Sequence, residues 1–127
     1  MSVNRILIAD PIHPHALSLL RSNSRIEVAV AKGLSEAQLI DLIPDYEAII
    51  VRSKTSVTTS VIEAARQLKV IGRAGSGLDN IDVATATQRG IAVLNAPDVS
   101  SNSTAEFALA QLLRLTRILP QPQPPLP

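Results

Sequence analysis

The stretch VIGRAGSGLDNIDVATATQRGIAVLNAP, residues 70–97, alternates between strand and helix patterns around a glycine-rich loop. Its apolar and amphipathic segments predict a strand, a helix and a second strand at Val70–Gly72, Val83–Arg89 and Ile91–Leu94. Asp82 stands where an N-cap belongs, and Gly90 stands where a helix commonly ends. The stretch therefore predicts a β-α-β unit with parallel strands.

The chain on the N-terminal side of this stretch repeats the alternation. Further strands are predicted at Arg5–Ala9, Ile26–Ala31 and Ala48–Val51, and further helices at Pro14–Leu20, Leu34–Ile43 and Ser60–Leu68. Two residue pairs have capping-box spacing, Ser35 with Gln38 and Ser60 with Glu63. The strands are continuous apolar runs, which is typical of parallel strands buried between helices on both faces. The sequence thus predicts an α/β fold with a five-stranded parallel sheet.

The C-terminal segment begins with a long predicted helix, Thr104–Leu119, in which Ser103 and Glu106 have capping-box spacing. Its apolar residues extend most of the way round the helix, which predicts burial on several sides. The last eight residues, PQPQPPLP, contain five of the nine prolines and cannot extend the helix. We expect a domain at residues 1–101, a crossover helix at 102–119 and a disordered tail at 120–127. The tail would be an appended segment, an altered splice product or, alternatively, an SH3-type ligand.

Charge and composition exclude several classes of partner and site. The 127 residues carry a net charge of +1, which provides no field for nucleic acid or an anionic membrane. Cysteine is absent, so disulfides and a cysteine nucleophile are excluded. Asp10 comes too early for a signal peptide, and no apolar run approaches the roughly 20 residues of a membrane helix. We expect a soluble, cytoplasmic protein.

The glycine-rich loop Gly72–Asp82 follows a predicted strand, and ligands of such folds bind beyond the carboxyl ends of the strands. Gly75 and Gly77 would permit positive φ angles and a close approach of backbone N–H groups to an anion. The spacing is not G-x-G-x-x-G, because Asn80 stands where the third glycine would be. The loop is interpreted either as a phosphate or carboxylate loop or as a tight turn that binds nothing.

Polar residues also follow two other predicted strands. Arg52 and Ser53 follow the strand AIIV, where a guanidinium could bind phosphate or carboxylate through two hydrogen bonds or could simply be solvated. Asn95 and Ser100 lie in the polar loop before the long helix, where Ser100 could donate to an anion beside the positive helix terminus or could cap the helix. A phospho-receiver domain is disfavoured, because its chemistry needs an aspartate at the position that Arg52 and Ser53 occupy.

The first predicted strand is followed by Asp10, which could bind a ligand or start a turn before Pro11. His13 and His15 lie in the same loop without a carboxylate or nucleophile at a spacing that suggests a catalytic dyad. Two histidines without cysteine also make a poor metal site. We therefore assign neither histidine a catalytic or metal-binding role.

Three segments together resemble the D-2-hydroxyacid dehydrogenase family, and within it the members that oxidise 3-phosphoglycerate: VRSKTSVT (51–58), VIGRAGSGLDNIDVATATQRGIAVLNAP (70–97) and SNSTAEFALAQLLRLTR (101–117). The resemblance implies a flavodoxin-like substrate-binding domain whose long helix crosses to an NAD-binding domain. It implies that the substrate is bound by Arg52, Ser53, Arg73, Ala74 and Gly75, with Asn95 and Ser100 near the cleft. It also implies that Ser76 and Gly77 contact the cofactor NAD.

The resemblance further implies functional parts that no residue of this chain matches. In the family, hydride transfer uses an arginine, a carboxylate and a histidine acid–base, and NAD binds a G-x-G-x-x-G loop. We therefore expect the substrate-binding part of an NAD-dependent oxidoreductase of serine biosynthesis, inactive by itself, with weak or no NAD binding. The alternative is a non-catalytic module that associates with a full-length dehydrogenase subunit or a second copy.

Overall fold

The computed structural model describes residues 3–97 and 101–116, which contain a five-stranded, all-parallel sheet. The strands are β1 (Asn4–Ile8), β2 (Ile26–Val30), β3 (Ala48–Val51), β4 (Val70–Arg73) and β5 (Ala92–Leu94). The helices are α1 (Pro14–Arg21), α2 (Glu36–Leu42), α3 (Thr59–Ala64), α4 (Val83–Gln88) and α5 (Ser101–Thr116), with a 3-10 turn at Ile43–Asp45. The strand order β2-β1-β3-β4-β5 is that of flavodoxin-like proteins, so the predicted fold is confirmed.

The chain divides into two compact units, residues 1–97 and residues 98–127. The core of the first unit lies on the face of the sheet that α2, α3 and α4 cover. Leu7, Ile49 and Ile71 are neighbours across β1, β3 and β4 and are completely buried. They pack with Leu39 of α2 and Val61 of α3 in one apolar cluster.

The opposite face of the sheet is less completely covered in the first unit. Ile50, Gly72 and Leu94 form a row across β3, β4 and β5, and Leu94 is 60% exposed. Only α1 packs on this face among the described residues of the unit, and it does so against β2. The prediction of helices on both faces is correct, but one helix about 10 Å wide cannot cover five strands spaced about 4.8 Å apart.

The predicted caps of α2 and α4 are confirmed, although α2 begins two residues later than predicted and both helices end one residue earlier. The Ser35 hydroxyl accepts the amide N–H of Gln38, and the Gln38 side chain accepts the amide N–H of Ser35, so a complete capping box begins α2. Asp82 begins α4 by accepting the amide N–H of Thr85 at 3.0 Å. Gly90 follows α4 with a φ of +69°, a conformation that side chains with a Cβ rarely adopt.

The predicted start and end of α3 are wrong. Thr58 is the N-cap, because its hydroxyl accepts the amide N–H of Val61 and its backbone is extended. Ser60 therefore lies in the first turn and forms no capping box. The helix ends at Ala64, since the next residue returns to extended backbone, and the predicted extension to Leu68 is not helical.

The second unit contains α5, which begins at Ser101 rather than at the predicted Thr104. Ser103 therefore lies inside the helix, and the capping box predicted for it is wrong. The burial predicted on several sides is not found among the described side chains, because four large apolar residues are exposed: Phe107, Leu109, Leu112 and Leu113. The proline-rich tail lies outside the described residues. Within the described part of the chain, no helix is long and apolar enough to span a membrane.

Candidate functional site

The candidate site lies at the carboxyl ends of β1, β3, β4 and β5, which are adjacent in the sheet. The loop after β3 carries Arg52 and Ser53, both exposed, and the loop after β4 carries the glycine-rich segment. The strand order therefore brings together predicted site residues that are more than 20 positions apart in the sequence. Ser100, also predicted for this site, lies outside the described residues.

Asp10 is almost completely buried, with 2% of its surface exposed. Its carboxylate accepts hydrogen bonds from the amide of Arg52 at 2.6 Å, the amide of Thr55 at 3.1 Å and the hydroxyl of Thr55 at 2.8 Å. Burial by itself would raise the pKa of Asp10, but these hydrogen bonds outweigh it and lower the pKa. Asp10 therefore anchors the loop after β3 as an anion, which neither of its predicted roles included.

Asn80 joins the loop after β3 to the loop after β4. Its Nδ2 group donates to the carbonyl oxygens of Arg52 and Thr55, both at 2.6 Å, and its Oδ1 accepts from Nε of Arg73 at 3.4 Å. Its own carbonyl accepts the amide N–H of Val57 at 2.8 Å. The asparagine that replaces the third glycine thus contacts both loops that carry a predicted arginine.

The glycines of the loop after β4 leave room for the neighbouring side chains of Arg73 and Asp79. Neither Gly75 nor Gly77 has a positive φ angle, so neither uses the conformation that glycine permits. A Cβ atom at Gly75 would lie 2.0 Å from Nη1 of Arg73, because the guanidinium folds back over its own loop. The amide N–H groups of Ser76 and Gly77 make no hydrogen bond within the described part of the chain and are available to a ligand.

Asn95 connects the end of β5 to the glycine-rich loop. Its Nδ2 group donates to the carbonyl of Ser76 at 2.8 Å, and the amide of Ala96 donates to the carbonyl of Gly75 at 2.9 Å. These bonds fix the carbonyl side of the loop, which leaves its amide side for an incoming group. Asn95 therefore supports a loop whose residues were predicted to bind substrate and cofactor.

Arg52 and Ala74 line one cleft of about 970 Å³, which extends along α1. The Arg52 guanidinium is exposed, and its Nη1 donates to the carbonyl of Pro11 at 3.4 Å. His13 also lines this cleft, but its Nδ1 accepts the amide of His15 and caps α1, which explains a histidine there without catalysis. No cluster of metal-binding side chains occurs in the described residues. The arrangement is suited to binding an anion through guanidinium and amide N–H groups.

The connecting residues Thr55 and Asn80 were not predicted from the sequence, and the anchoring role of Asp10 was not recognised. One signal was available for Asn80, because a polar amide replaced the glycine that a dinucleotide loop would carry. For Asp10 and Thr55 the partners are 45 residues apart, and no local pattern joins them.

The family model of the catalytic domain of D-isomer specific 2-hydroxyacid dehydrogenases matches residues 6–117. The chain belongs to this family. It is 51% identical to the D-3-phosphoglycerate dehydrogenase of Archaeoglobus fulgidus over 117 residues, which are 92% of this chain and 22% of that protein. It is 42% identical to the hydroxypyruvate reductase of Thermotoga maritima, covering 92% of this chain and 38% of the relative.

Solved structures of this 2-hydroxyacid dehydrogenase family share the fold. A protein of Pyrococcus horikoshii matches with a TM-score of 0.82 and 31% identity, over 91% of this chain and 34% of that one. The NAD⁺-bound 3-phosphoglycerate dehydrogenase of Entamoeba histolytica matches with a TM-score of 0.74 and 28% identity, over 88% of this chain and 39% of that one. The chain therefore spans well under half the length of these relatives.

Proposed function

We propose that this chain forms the substrate-binding part of an NAD-dependent dehydrogenase that oxidises 3-phospho-D-glycerate to 3-phosphohydroxypyruvate, the reaction that supplies serine synthesis. Membership of the 2-hydroxyacid dehydrogenase family and the 51% identity to a D-3-phosphoglycerate dehydrogenase support this substrate. The observation that carries the proposal is the exposed Arg52 guanidinium at the cleft, beside a loop whose Ser76 and Gly77 amides are available.

The substrate carries a carboxylate and a phosphate, and both need cationic or N–H donors. We assign these donors to the loops after β3 and β4, with support from β5; the substrate-binding residues are Arg52, Ser53, Arg73, Ala74, Gly75, Asn95 and Ser100. Ser76 and Gly77 are assigned to the cofactor NAD, with Ser76 at its nicotinamide end, and their available amide N–H groups fit a polar cofactor group. NAD, when bound, supplies the hydride acceptor.

The domain organisation that goes with this function has residues 1–101 as the substrate-binding domain and 102–119 as a crossover helix toward an NAD-binding domain. The 127 residues contain no G-x-G-x-x-G sequence. We therefore propose that the chain by itself binds NAD weakly or not at all and does not catalyse hydride transfer. Residues 120–127 are assigned to a tail outside both domains.

A second candidate function is that of a non-catalytic module that associates with a full-length dehydrogenase subunit or with another copy of itself. The exposed apolar residues of α5, which include Phe107 and Leu109, favour this candidate because such patches promote association. The two candidates differ in what the cleft does, since a purely associating module has no need to bind an anion.

The substitution Arg52→Gln tests the proposed substrate site. We expect it to weaken binding of 3-phosphoglycerate about tenfold or more, because a hydrogen bond to a charged group is lost from the cleft. The dissociation constant is measured by titrating the ¹⁵N-labelled 127-residue chain and following amide chemical shifts, a method that reaches weak affinities.

Arg66→Gln is the matched control, since Arg66 is an exposed arginine in the segment between α3 and β4. This segment leads into the amino-terminal end of β4, away from the candidate site at the carboxyl ends of the strands. This variant removes the same charge and should leave the dissociation constant within about twofold of the original chain. Equal weakening by both substitutions would indicate a general charge effect, and the proposed site would then be rejected.

A further inference from the structure

The loop that carries Arg52 is held from two sides by buried or half-buried polar side chains. Asp10 accepts the amide N–H groups of Arg52 and Thr55, while Asn80 donates to the carbonyl oxygens of the same two residues. At both ends of this four-residue loop, the backbone amide N–H and the backbone carbonyl are therefore held by hydrogen bonds. The backbone that carries the Arg52 side chain consequently has little freedom to shift.

Asn80 differs from Asp10 because it also contacts the neighbouring loop. It lies in the segment after β4, and its Oδ1 accepts from Nε of Arg73. One side-chain amide thus touches the backbone at Arg52 and the guanidinium of Arg73. An aspartate could not replace it, since a carboxylate has no N–H to donate to two carbonyl oxygens.

A substrate with two anionic groups needs donors at a fixed separation, because small misplacements of binding groups are costly. The Arg52 side chain projects from the loop after β3, and the Arg73 side chain lies over the loop after β4. We propose that Asn80 is a positioning residue that fixes the separation of these two arginine-bearing loops for a doubly anionic 2-hydroxy acid. This inference rests on the proposed function and adds to it a residue that acts through Arg52 and Arg73.

The test combines Asn80→Ala with Arg52→Gln and measures 3-phosphoglycerate affinity of the 127-residue chain by the same NMR titration. Asn80→Ala should weaken binding about fivefold or more when Arg52 is present, and by a clearly smaller factor when Arg52 is already replaced, because only the contribution through Arg73 then remains. Asn4→Ala is the matched control, because Asn4 is an exposed asparagine at the amino-terminal end of β1, away from the carboxyl ends of the strands. It should change affinity in neither background.

Equal effects of Asn80→Ala in both backgrounds would show that Asn80 acts independently of Arg52, and would overturn the inference. So would unchanged binding by the Asn80→Ala variant. If Asn80→Ala does not fold, Asn80→Ser, which keeps one hydroxyl donor, takes its place in the cycle.

A ligand-free readout separates this inference from the proposed function. ¹⁵N relaxation of the Ser53 and Lys54 amides should show increased motion in Asn80→Ala and no change in Asn4→Ala. If the original chain does not bind 3-phosphoglycerate, the proposed function is rejected. The ¹⁵N relaxation data still show whether Asn80 positions the loop. Unchanged relaxation at Ser53 and Lys54 would overturn the positioning role whatever the binding result.

Discussion

Side chains at the carboxyl edge of the sheet divide into those that support loops and those that face a ligand. Asp10, Asn80 and Asn95 each form hydrogen bonds to the backbone of another loop, so their polar atoms are already used within the protein. The Arg52 guanidinium is exposed, and within the described residues it makes one long hydrogen bond, to the carbonyl of Pro11. A bound anion could therefore contact Arg52 without first breaking the network beneath it.

The buried carboxylate of Asp10 should make stability depend on pH. Because its pKa is lowered in the folded chain, ionised Asp10 contributes stability above the ordinary carboxyl pKa of 3.8, and that contribution is lost as the pH falls through the lowered value. At neutral pH we expect Asp10→Asn to reduce the free energy of unfolding by about 1–3 kcal/mol, since one of the two oxygens that accept these hydrogen bonds becomes an NH2 donor. The measurement is urea unfolding of both chains from neutral pH to below pH 3.8.

The difference in unfolding free energy between the two chains should shrink at the acid end of this range. Asp41→Asn serves as the control, because Asp41 is exposed on α2 and makes no hydrogen bond through its side chain within the described residues. A difference for Asp10→Asn that stays constant across the pH range would show that the carboxylate charge is not what anchors the loop.

The helices of the first unit are six to eight residues long, too short to be stable alone, so caps and packing define their ends. The caps also connect neighbouring helices. The Thr58 hydroxyl donates to Glu36 of α2, and the Thr59 hydroxyl donates to Asp82, the cap of α4. The hydroxyl of Thr59, with the amide and hydroxyl of Thr85, lowers the pKa of Asp82 to about 2, so this cap stays ionised in mild acid.

The start of α3 can be tested by a pair of substitutions. Thr58→Ala removes the N-cap and should reduce the free energy of unfolding by about 1 kcal/mol. Ser60→Ala changes an exposed residue within the first turn and should change it by less than about 0.5 kcal/mol. Urea unfolding midpoints at neutral pH give both values. A larger loss for Ser60→Ala than for Thr58→Ala would restore the helix start predicted from the sequence.

The chain has the fold of its family and covers 22% of the D-3-phosphoglycerate dehydrogenase of Archaeoglobus fulgidus. One face of its sheet retains exposed apolar residues, of which Leu94 is the clearest, and α5 exposes several more. Surfaces of this kind are typical of positions that other polypeptide covers. Both units therefore have exposed apolar surface. The first unit also carries the polar candidate site at the carboxyl ends of its strands.

The 127-residue chain by itself should produce no NADH above background from 3-phosphoglycerate and NAD, because it contains no G-x-G-x-x-G loop to hold the cofactor. The measurement is NADH absorbance with time, with a full-length D-3-phosphoglycerate dehydrogenase as the positive control. Turnover that is abolished by Arg52→Gln would show that the chain is a complete catalyst and would reject the proposed inactivity.

The α/β alternation, the parallel sheet and the positions of most elements could be predicted from local sequence patterns. The strand β3 was predicted residue for residue and the other strands to within one residue at each end, because a buried parallel strand needs a continuous apolar run that is visible locally. The Ser35 box and the Asp82 cap were predictable for the same reason, since each cap and its partner lie three residues apart. The resemblance in the Gly-rich stretch also led to the correct family.

The polar residues that connect the loops could not be predicted from local patterns, because their partners lie far away in the sequence. Asp10 meets Thr55 across 45 residues, and Asn80 meets the Arg52 carbonyl across 28, because neighbouring parallel strands end at the same edge of the sheet. The reason for Gly75 was equally hidden, since it depends on where the Arg73 guanidinium folds. Local patterns specify what each segment can form, whereas contacts between distant segments exist only once the strands are ordered in the sheet.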